Sequence, residues 1–442
     1  MSNDTGNSVA ALFSGKDNSA TSVSKPVWED DDLDDKSRSG HLQATSEPEW
    51  VQKRRRMISE SVKNVPGDQD ATSSTDVASS LTGRLTQTKP RKRGSGMRFM
   101  IQRHNISHLN LNMSTGVNQL AFDESNSLFA ILGRREKTIR LFNIDKHRSE
   151  GNHFGLKSES SCAPTSNRPI SSFAFADGGK TIYIVDGHNS VLRYDCEHGA
   201  AVRLANITSM RTAYSFRRVH TPPVLDDQNG TVFALSCSDL GGVLLCDSRS
   251  SSIAHHFQMN ATAIGVGYHL RAGVVVTADA DANIYEWDLV SGRCLHKFHD
   301  EHTLQLSCIE MSPTVSAEFA SNAYLAVGSR MGFLNRYPVL HSEDSTRSSI
   351  IHQSLLKTYG NLSTGITSIC HDNKGIFIAY ASDQQRNALR IIHNPSGQVV
   401  SNWPVETINL GRVTSVAFAP RSSTLAVGNR SGRVQLFGIL TC

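Results

Sequence analysis

The side chains that come nearest to a chemical site in this sequence are three histidines, His296, His299 and His302, which flank Asp300 and Glu301. Imidazole and carboxylate groups at such close spacing are typical zinc ligands. However, this cluster directly follows a predicted strand, and histidines in an exposed strand-to-loop segment are more often solvated. The sequence therefore favours a surface cluster, and we expect neither a metal nor a cofactor.

The spacings that mark common catalytic centres are missing from the sequence. It contains no H-E-x-x-H, no G-x-S-x-G, no P-loop and no dinucleotide-binding fingerprint after a predicted strand. Asp145, Asp195, Asp247 and Asp288 end predicted strands, where a carboxylate commonly caps the next turn. The sequence thus predicts a binding protein without catalytic residues or a small-molecule substrate, although fold alone does not settle function.

Charged residues in the first 96 positions are grouped into blocks. An acidic run spans Glu29–Asp35, and the two basic blocks comprise Lys53, Arg54, Arg55 and Arg56 and, further on, Lys89, Arg91, Lys92 and Arg93. Basic side chains gain free energy at a polyanion because they release its counterions, so these blocks are predicted to contact RNA or to direct nuclear import. The alternative is that the charges only keep the segment soluble.

The same segment is too poor in apolar residues to form a core. It contains 24 Ser and Thr but only three aromatic residues, so burial cannot offset the entropy that is lost on ordering. We therefore predict that residues 1–96 form a disordered N-terminal tail. Trp28, Trp50 and the pair Leu12 and Phe13 have no core to join, and we predict that they anchor the tail in pockets of partner proteins. The alternative is that these apolar residues have no role.

From about residue 106 onward, a phrase of three short apolar strands recurs seven times. Its first and last copies are the clearest and comprise Val117–Phe122, Leu128–Gly133 and Ile139–Phe142, and Val413–Phe418, Leu425–Gly428 and Gly432–Phe437. Phe122 and Phe418 are 296 residues apart, which gives a period of about 49 over six intervals. The third copy is weaker, with its first strand predicted at Ala213–Phe216, and residues 151–168 and 314–322 are predicted to be insertions.

The repeat predicts an all-β, seven-bladed WD40-type β-propeller over residues 97–442. The middle strand of each copy is apolar on both faces, as expected where a sheet stacks between two others. Because one four-stranded sheet cannot cover both of its faces, seven of them pack radially. The seventh copy ends near Phe437, so we predict that Ile106–Leu111 pairs with Gly432–Phe437 as its fourth strand and closes the ring.

The composition sets further limits on the class of protein. The net charge is +4, 19% of the residues are charged, and no apolar run approaches the roughly 18 to 20 residues of a transmembrane helix. The first thirty residues lack a signal-peptide core, and the eight cysteines include no C-x-x-C pair. We therefore expect an intracellular protein with reduced thiols.

Several longer phrases in the repeat region are distinctive among propellers. They are Ala282–Phe298, Tyr324–Gly332, Asn361–Ile369, Ala388–His393, Val400–Pro404, Phe418–Ser422 and Ala426–Asn429. In the tail, Pro26–Asp32 joins a tryptophan to the acidic run, and Ser46–Trp50 precedes the first basic block. In these phrases the chain resembles the family of U-three small nucleolar RNA-associated protein eighteen, the Utp WD-repeat subunits of the small-subunit processome. The resemblance covers residues 26–56 and 98–440.

The resemblance implies a function in ribosome biogenesis. Members of this family are non-catalytic scaffold subunits of the Utp-B subcomplex, which acts in pre-rRNA processing and small ribosomal subunit biogenesis in the nucleolus, within the nucleus. The implied partners are the other propeller subunits of Utp-B, the U-three snoRNP and the pre-rRNA, and no membrane is implied. Leu12, Phe13 and Asp17 are similar to a family motif that docks an exosome-associated RNA helicase, but here one additional residue separates Phe13 from Asp17.

One alternative function remains open from the sequence. Cys246, Asp247, Ser248 and Arg249 partly match the D-x-R box with which some propellers bind the adaptor of a cullin-type ubiquitin ligase. A substrate receptor of such a ligase is therefore the alternative to a processome subunit. The tryptophan that normally precedes the box is missing and the box occurs once, which favours the processome subunit.

Overall fold

The structure, a computed structural model, describes residues 98–440 of the 442-residue chain, apart from several short internal segments. The segments outside the described residues are 107–109, 126, 146–153, 164–167, 206, 208–214, 223–231, 239–240, 313–323, 340–350, 352, 406 and 421. In the described residues, twenty-eight strands form seven four-stranded antiparallel sheets, which confirms the predicted all-β propeller. None of the helices in these residues is long and apolar enough to span a membrane.

Blades 1 to 4 are meanders of four consecutive strands, and the first strand of each blade lies nearest the axis. Blade 1 contains β2 (Val117–Phe122), β3 (Leu128–Gly133), β4 (Ile139–Ile144) and β5 (Leu156–Cys162), and blade 2 contains β6 (Ser172–Ala176), β7 (Thr181–Val185), β8 (Val191–Asp195) and β9 (Ala200–Arg203). Blade 3 contains β10 (Phe216–His220), β11 (Val232–Cys237), β12 (Gly242–Asp247) and β13 (Ser252–Gln258), and blade 4 contains β14 (Ala263–His269), β15 (Val274–Asp279), β16 (Asn283–Asp288) and β17 (Cys294–His299).

Blades 5 and 6 repeat this order, whereas blade 7 takes its outermost strand from the other end of the described chain. Blade 5 contains β18 (Leu306–Met311), β19 (Tyr324–Ser329), β20 (Leu334–Pro338) and β21 (Lys357–Tyr359), and blade 6 contains β22 (Ser368–His371), β23 (Phe377–Ala381), β24 (Leu389–His393) and β25 (Gln398–Val399). Blade 7 contains β26 (Val413–Phe418), β27 (Thr424–Asn429), β28 (Val434–Leu440) and β1 (Met100–Arg103).

The strand that closes the ring is not the predicted one. The prediction placed it at Ile106–Leu111, but β1 pairs with β28 in a register that joins Met100 to Leu440 and ends at Arg103. The chain after β1 instead runs inward, where Leu111 and Met113 are buried in the core shared by blades 7 and 1. Leu111 thus fills an interblade core and Ile106 packs against it, a role that periodicity alone does not distinguish from that of an edge strand.

Two further boundaries differ from the prediction. The first strand of blade 3 is β10, which begins at Phe216 rather than ending there, because Phe216 and Val219 are the residues that are buried in the adjoining core. The predicted insertion at residues 151–168 contains β5, whose Leu156 and Cys162 are buried while the five residues between them are exposed. An outermost strand with so few buried positions carries no apolar alternation to reveal it.

The hydrophobic core lies between neighbouring blades. Trp287 of β16 stacks on Phe257 of the preceding blade, with ring centroids 4.8 Å apart. Its indole N–H donates a 2.8 Å hydrogen bond to the hydroxyl of Thr277, which ties β16 to β15. All six residues of β15 are buried. The second strands are therefore covered on both faces, as the apolar pattern predicts, and the blades form a rigid frame for their loops.

Candidate functional site

Three of the four strand-ending aspartates cap their turns, as predicted. Asp195 accepts the backbone N–H of Glu197 at 2.9 Å, and Asp247 accepts that of Arg249 at 2.9 Å. Asp288 accepts hydrogen bonds from the next turn in the same way. These hydrogen bonds lower the pKa of all three carboxyl groups, so each remains ionised within its own turn. The turn that follows the fourth aspartate lies outside the described residues.

The histidine cluster does not form a metal centre in the structure. His296 and His299 lie on β17, the outermost strand of blade 4, and His302 lies in the turn after it. Asp300 is fully buried and accepts hydrogen bonds from Asn335 and from other groups of blade 5, so its role is to join two blades. Across the ranges that the structure describes, no three His, Cys, Asp or Glu side chains converge as metal ligands.

The binding residues predicted in the tail lie outside the described residues. They are Leu12, Phe13, Asp17, Trp28, Trp50, Lys53, Arg54, Arg55, Arg56, Lys89, Arg91, Lys92 and Arg93. The described chain nevertheless contains a concentration of charge that was not predicted from the sequence.

The directions of the strands place two sets of loops on one face of the ring. Because successive strands of a blade are antiparallel, the turn between its second and third strands lies at the same end as the connections between blades. We call this end the connection face. The turns between first and second strands and between third and fourth strands lie on the opposite face.

Seven arginines on the connection face are all exposed, and they belong to blades 1, 5, 6 and 7 and the connections beside them. We call them the arginine sector: Arg134 and Arg135 in the β3–β4 turn, Arg330 in the β19–β20 turn, Arg386 in the β23–β24 turn, Arg412 before β26, and Arg430 and Arg433 in the β27–β28 turn. The four turns named here contain only two carboxylates, Glu136 and Asp383. A guanidinium group presents its donors in a planar fork that fits phosphate, so this surface is suited to a polyanion.

Backbone contacts fix the arginine-bearing turns of blades 7 and 1 and bring the two turns together. The N–H of Arg430 donates to the carbonyl oxygen of Arg412 at 2.8 Å, and that of Arg134 donates to the carbonyl oxygen of Gly116 at 2.6 Å. A Cβ atom on Gly116 would lie 2.5 Å from the carbonyl oxygen of Arg430, so this approach of blade 7 to the strand entering blade 1 requires glycine. Arg134 also reaches Asp383 of blade 6, with Nη2 and Oδ2 3.9 Å apart. The sector is therefore continuous from blade 6 to blade 1.

A sequence signal for the arginine sector exists at one phase of the repeat. In blades 1, 5 and 7 the last residue of the second strand is followed directly by arginine, in Gly133-Arg134, Ser329-Arg330 and Asn429-Arg430. These pairs become visible as one surface only after the copies are superimposed, because they are far apart along the chain. Blades 2 and 4 have Asp186 and Asp279 at the same phase, followed by glycine and alanine.

A pocket of about 370 Å³ lies beside the arginine sector, between the loops of blades 5 and 6. We call it the Phe333 pocket; its walls are Met331, Phe333, Gly360, Asn361, Leu362, Ser363, Gln385, Arg386, Asn387, Ala388 and Arg390. The side chains of Phe333 and Met331 are 40% and 59% exposed, which is a large apolar exposure for one turn. None of the wall residues is acidic. The pocket thus combines an aromatic ring with amides and guanidinium groups.

The central channel encloses a second space, of about 610 Å³, whose walls are the first strands of the blades. Arg218, His220, Glu310 and His371 are among its polar residues. The Glu310 carboxyl group faces the channel, where desolvation by the surrounding walls raises its pKa to about 7, against the opposing effect of Arg218. Burial lowers the pKa of His220 and His371 to about 3, so both imidazoles are neutral at pH 7.

The thiols of the channel are not activated. Cys308 and Cys370 both line it. Burial raises the pKa of Cys308 to about 12 and raises that of Cys370 well above its usual value, so both thiols are protonated at neutral pH. Because the thiolate is the nucleophile, neither side chain is poised for covalent catalysis.

The chain is similar to curated proteins of one name from several eukaryotes. It is 26% identical over 271 residues to the human U3 small nucleolar RNA-associated protein 18 homolog, in a match that covers 61% of this chain and 45% of that protein. It is 28% identical over 228 residues to U3 small nucleolar RNA-associated protein 18 of Saccharomyces cerevisiae, which covers 50% and 37%. The resemblance predicted from the sequence is confirmed.

These matches cover less than half the length of the relatives. A segment of 117 residues is 36% identical to the probable U3 small nucleolar RNA-associated protein 18 of Schizosaccharomyces pombe, but it is only 26% of this chain and 21% of that protein. No family model matches the chain. Among solved structures, the beta-propeller domain of Cps50 (Swd1) from Myceliophteria thermophila superimposes with a TM-score of 0.57 at 13% identity, covering 76% of this chain and 99% of that domain. That likeness concerns the fold alone.

Proposed function

We propose that this chain is a non-catalytic WD-repeat subunit of the small-subunit processome and acts in pre-rRNA processing in the nucleolus. The single observation that carries the proposal is the similarity to proteins named for association with the U3 small nucleolar RNA in seven eukaryotes. Its assembly partners are the other propeller subunits of the Utp-B subcomplex, and its ribonucleoprotein partners are the U3 snoRNP and the pre-rRNA.

The described residues support binding rather than catalysis. Asp195, Asp247 and Asp288 serve their own turns, the channel imidazoles are neutral, and the channel thiols are protonated. What the propeller offers instead is a set of wide faces on a rigid frame, one of which is rich in arginine. Such a surface recognises charge and shape, as a scaffold subunit requires.

The tail has a complementary role in this proposal. The basic blocks Lys53–Arg56 and Lys89–Arg93 contact RNA phosphate or direct nuclear import, while Trp28 and Trp50 anchor partner proteins. Leu12, Phe13 and Asp17 dock an RNA helicase of the exosome. A peptide of residues 8–20 should bind that helicase with micromolar affinity, since ordering the peptide offsets much of the gain from two buried side chains. A Leu12→Ala, Phe13→Ala peptide with equal affinity would exclude these anchors.

Affinity purification of the tagged full chain tests the proposed function. We expect U3 snoRNA, pre-rRNA and propeller subunits to copurify, and replacement of both basic blocks with serine should reduce nucleolar accumulation. The alternative, a receptor of a cullin-type ubiquitin ligase, predicts an adaptor and a cullin in the same eluate. In the structure, the Asp247 carboxylate of the partial D-x-R box accepts hydrogen bonds from its own turn. Recovery of the ligase subunits without U3 snoRNA would contradict the proposed function.

A further inference from the structure

We propose that the Phe333 pocket holds one unpaired base of a single-stranded RNA whose phosphates lie along the arginine sector. This inference rests on the proposed function for the choice of RNA, and it deepens that function by naming the surface and the form of RNA. Arg386 belongs to the arginine sector and also lines the pocket, so phosphate and base sites are continuous. Arg330, Met331 and Phe333 likewise share one turn.

The pocket has an aromatic platform that is suited to base stacking. A Cβ atom on Gly360 would lie 3.1 Å from Cε1 of Phe333, so the backbone at Gly360 packs closely against one part of the ring. The ring is thereby supported, and its exposed fraction of 40% is open to the pocket. A stacked base is sequence-tolerant because every base has a π-face, and an aromatic side chain supplies much of the affinity for single strands.

Amide groups beside the ring can recognise the edge of a base. The hydroxyl of Ser363 donates to Oε1 of Gln385 at 3.1 Å, which orients the Gln385 side chain at the pocket wall and leaves its NH₂ donors for a ligand. Asn361 is exposed at the same wall and offers both a donor and an acceptor. This mixture of donors and acceptors matches a nucleobase edge better than it matches a carboxylate, which only accepts.

The distribution of charge distinguishes a polyanion from a single acidic side chain. The seven arginines are spread over four loops of the β-hairpin type and one connection, rather than gathered at one point. A chain of phosphates can contact such a series in succession, whereas a short acidic peptide would engage only part of it. A duplex would present phosphates too, but its bases would remain stacked and unavailable to Phe333.

The test measures binding of fluorescent RNA to the full chain in which Lys53–Arg56 and Lys89–Arg93 are replaced by serine, so that the tail blocks do not contribute. The probes are a single-stranded 12-mer and a duplex of the same length. Phe333→Leu should weaken binding of the single strand by about tenfold and leave binding of the duplex unchanged. Arg386→Gln should lower the salt dependence of single-strand binding by about 0.7 in the slope of log K against log salt.

Matched control variants come from the opposite face of blade 4. Val290→Ala removes an exposed apolar side chain, and Arg293→Gln removes an exposed arginine, from the turn between β16 and β17. Neither should change the affinity or its salt dependence. Thermal melts of every variant establish folding, and Arg386→Gln, which alters only an exposed side chain, keeps the test valid if Phe333→Leu unfolds. Crosslinking with 4-thiouridine RNA should recover the peptide that contains Phe333.

Three results would overturn the inference: equal affinity of Phe333→Leu and the parent for the single strand, an equal loss in the Arg293→Gln control, or crosslinks confined to the opposite face. Binding of an acidic peptide that competes with the RNA at Phe333 while RNA crosslinks lie elsewhere would likewise overturn it. Failure of the proposed function gives a different signature, in which U3 snoRNA does not copurify from cells although the Phe333-dependent binding of single strands is intact.

Discussion

The turn between the second and third strands is closed by a carboxylate in blade 4 and by an amide in blade 7. In blade 4, Oδ1 of Asp279 accepts the backbone N–H groups of Asp281 at 3.1 Å and Asn283 at 2.9 Å. In blade 7, Oδ1 of Asn429 accepts the corresponding N–H groups, those of Ser431 at 3.1 Å and Arg433 at 2.9 Å. The geometry of the turn is thus the same, while the charge of the capping residue differs.

The same contrast extends to the neighbouring blades. Asp186 of blade 2 accepts two N–H groups of its turn, whereas in blade 5 the hydroxyl oxygen of Ser329 accepts that of Phe333 at 2.9 Å. In these four blades the cap is an oxygen acceptor, but it need not carry a charge. In blades 5 and 7 the turn that carries the arginines is therefore capped by a neutral group instead of a carboxylate. The comparison indicates that the charge of the connection face is adjustable without a change of fold.

Removal of β1 should have the largest effect, because it dismantles blade 7 while the strands of blade 4 remain paired. Deletion of residues 1–104 exposes the edge of β28 and removes Phe99, which is buried between blades 6 and 7. We expect a loss of about 4–6 kcal/mol from buried apolar surface and ladder hydrogen bonds. Urea unfolding measures the loss, and hydrogen exchange should localise it to β26–β28.

Deletion of residues 1–96 is the control for this experiment, because it leaves β1 intact. The melting temperature of that variant should match the full chain within error. If the two deletions melted together, the pairing of β1 with β28 would not contribute to the stability of the ring.

Loss of the cap should be more costly in blade 4 than in blade 7. Asp279 is fully buried and also accepts the hydroxyl of Tyr285 at 3.0 Å, so Asp279→Ala leaves several buried donors without an acceptor. We expect about 3–5 kcal/mol of destabilisation, against about 2 kcal/mol for Asn429→Ala, whose turn is more exposed to water. Urea denaturation of both variants measures the difference. Equal losses in the two variants would show that the turn geometry shared by both blades, and not burial, determines the cost.

Asn429→Asp should convert the turn of blade 7 into the type found in blade 4. The carboxylate keeps the acceptor for Ser431 and Arg433 but loses the N–H that Asn429 donates to the carbonyl oxygen of Leu410, so we expect about 1–2 kcal/mol of destabilisation.

The negative charge that Asn429→Asp introduces beside Arg430 should weaken single-stranded RNA binding about threefold at low salt and less at high salt. Fluorescence titrations at two salt concentrations test this. Asn429→Ser is the neutral control, and a similar loss of affinity in both variants would assign the effect to the turn geometry.

The central channel lies on the axis of the ring, between the blades with carboxylate caps and those with neutral caps. The titration of Glu310, which lines this channel, should have the smallest effect. The folded state raises the pKa of Glu310 to about 7, so folding binds a proton and stability falls as pH rises from about 4.5 to 7. Glu310→Gln removes this dependence. The variant should therefore gain stability relative to the parent as pH rises to 8, and the difference should be constant below about pH 4.5. Thermal melts across this range test the sign, and a gain at acidic pH would contradict it.

The number of blades and most strands could be predicted from the sequence, because the burial of a strand is visible in the apolar pattern of its own residues. A strand covered on both faces, such as β15 or β27, needs an unbroken apolar run, and seven such runs at one period leave few alternatives to a ring of seven sheets. The turn-capping role of Asp195, Asp247 and Asp288 was predictable for the same reason, since each aspartate acts on residues next to it in the chain. The resemblance to the U3-associated proteins also followed from contiguous phrases.

The closing strand and the arginine sector were decided only by the tertiary structure. Apolar residues at spacings compatible with a strand occur in both Ile106–Leu111 and Met100–Arg103. Which of the two closes the ring depends on the cores that Phe99, Leu111 and Met113 fill. The arginines are up to about 300 residues apart, and no local pattern states that their turns share one face. A surface formed by closing a ring depends on long-range geometry, because residues distant along the chain become neighbours only when every blade has packed against the next.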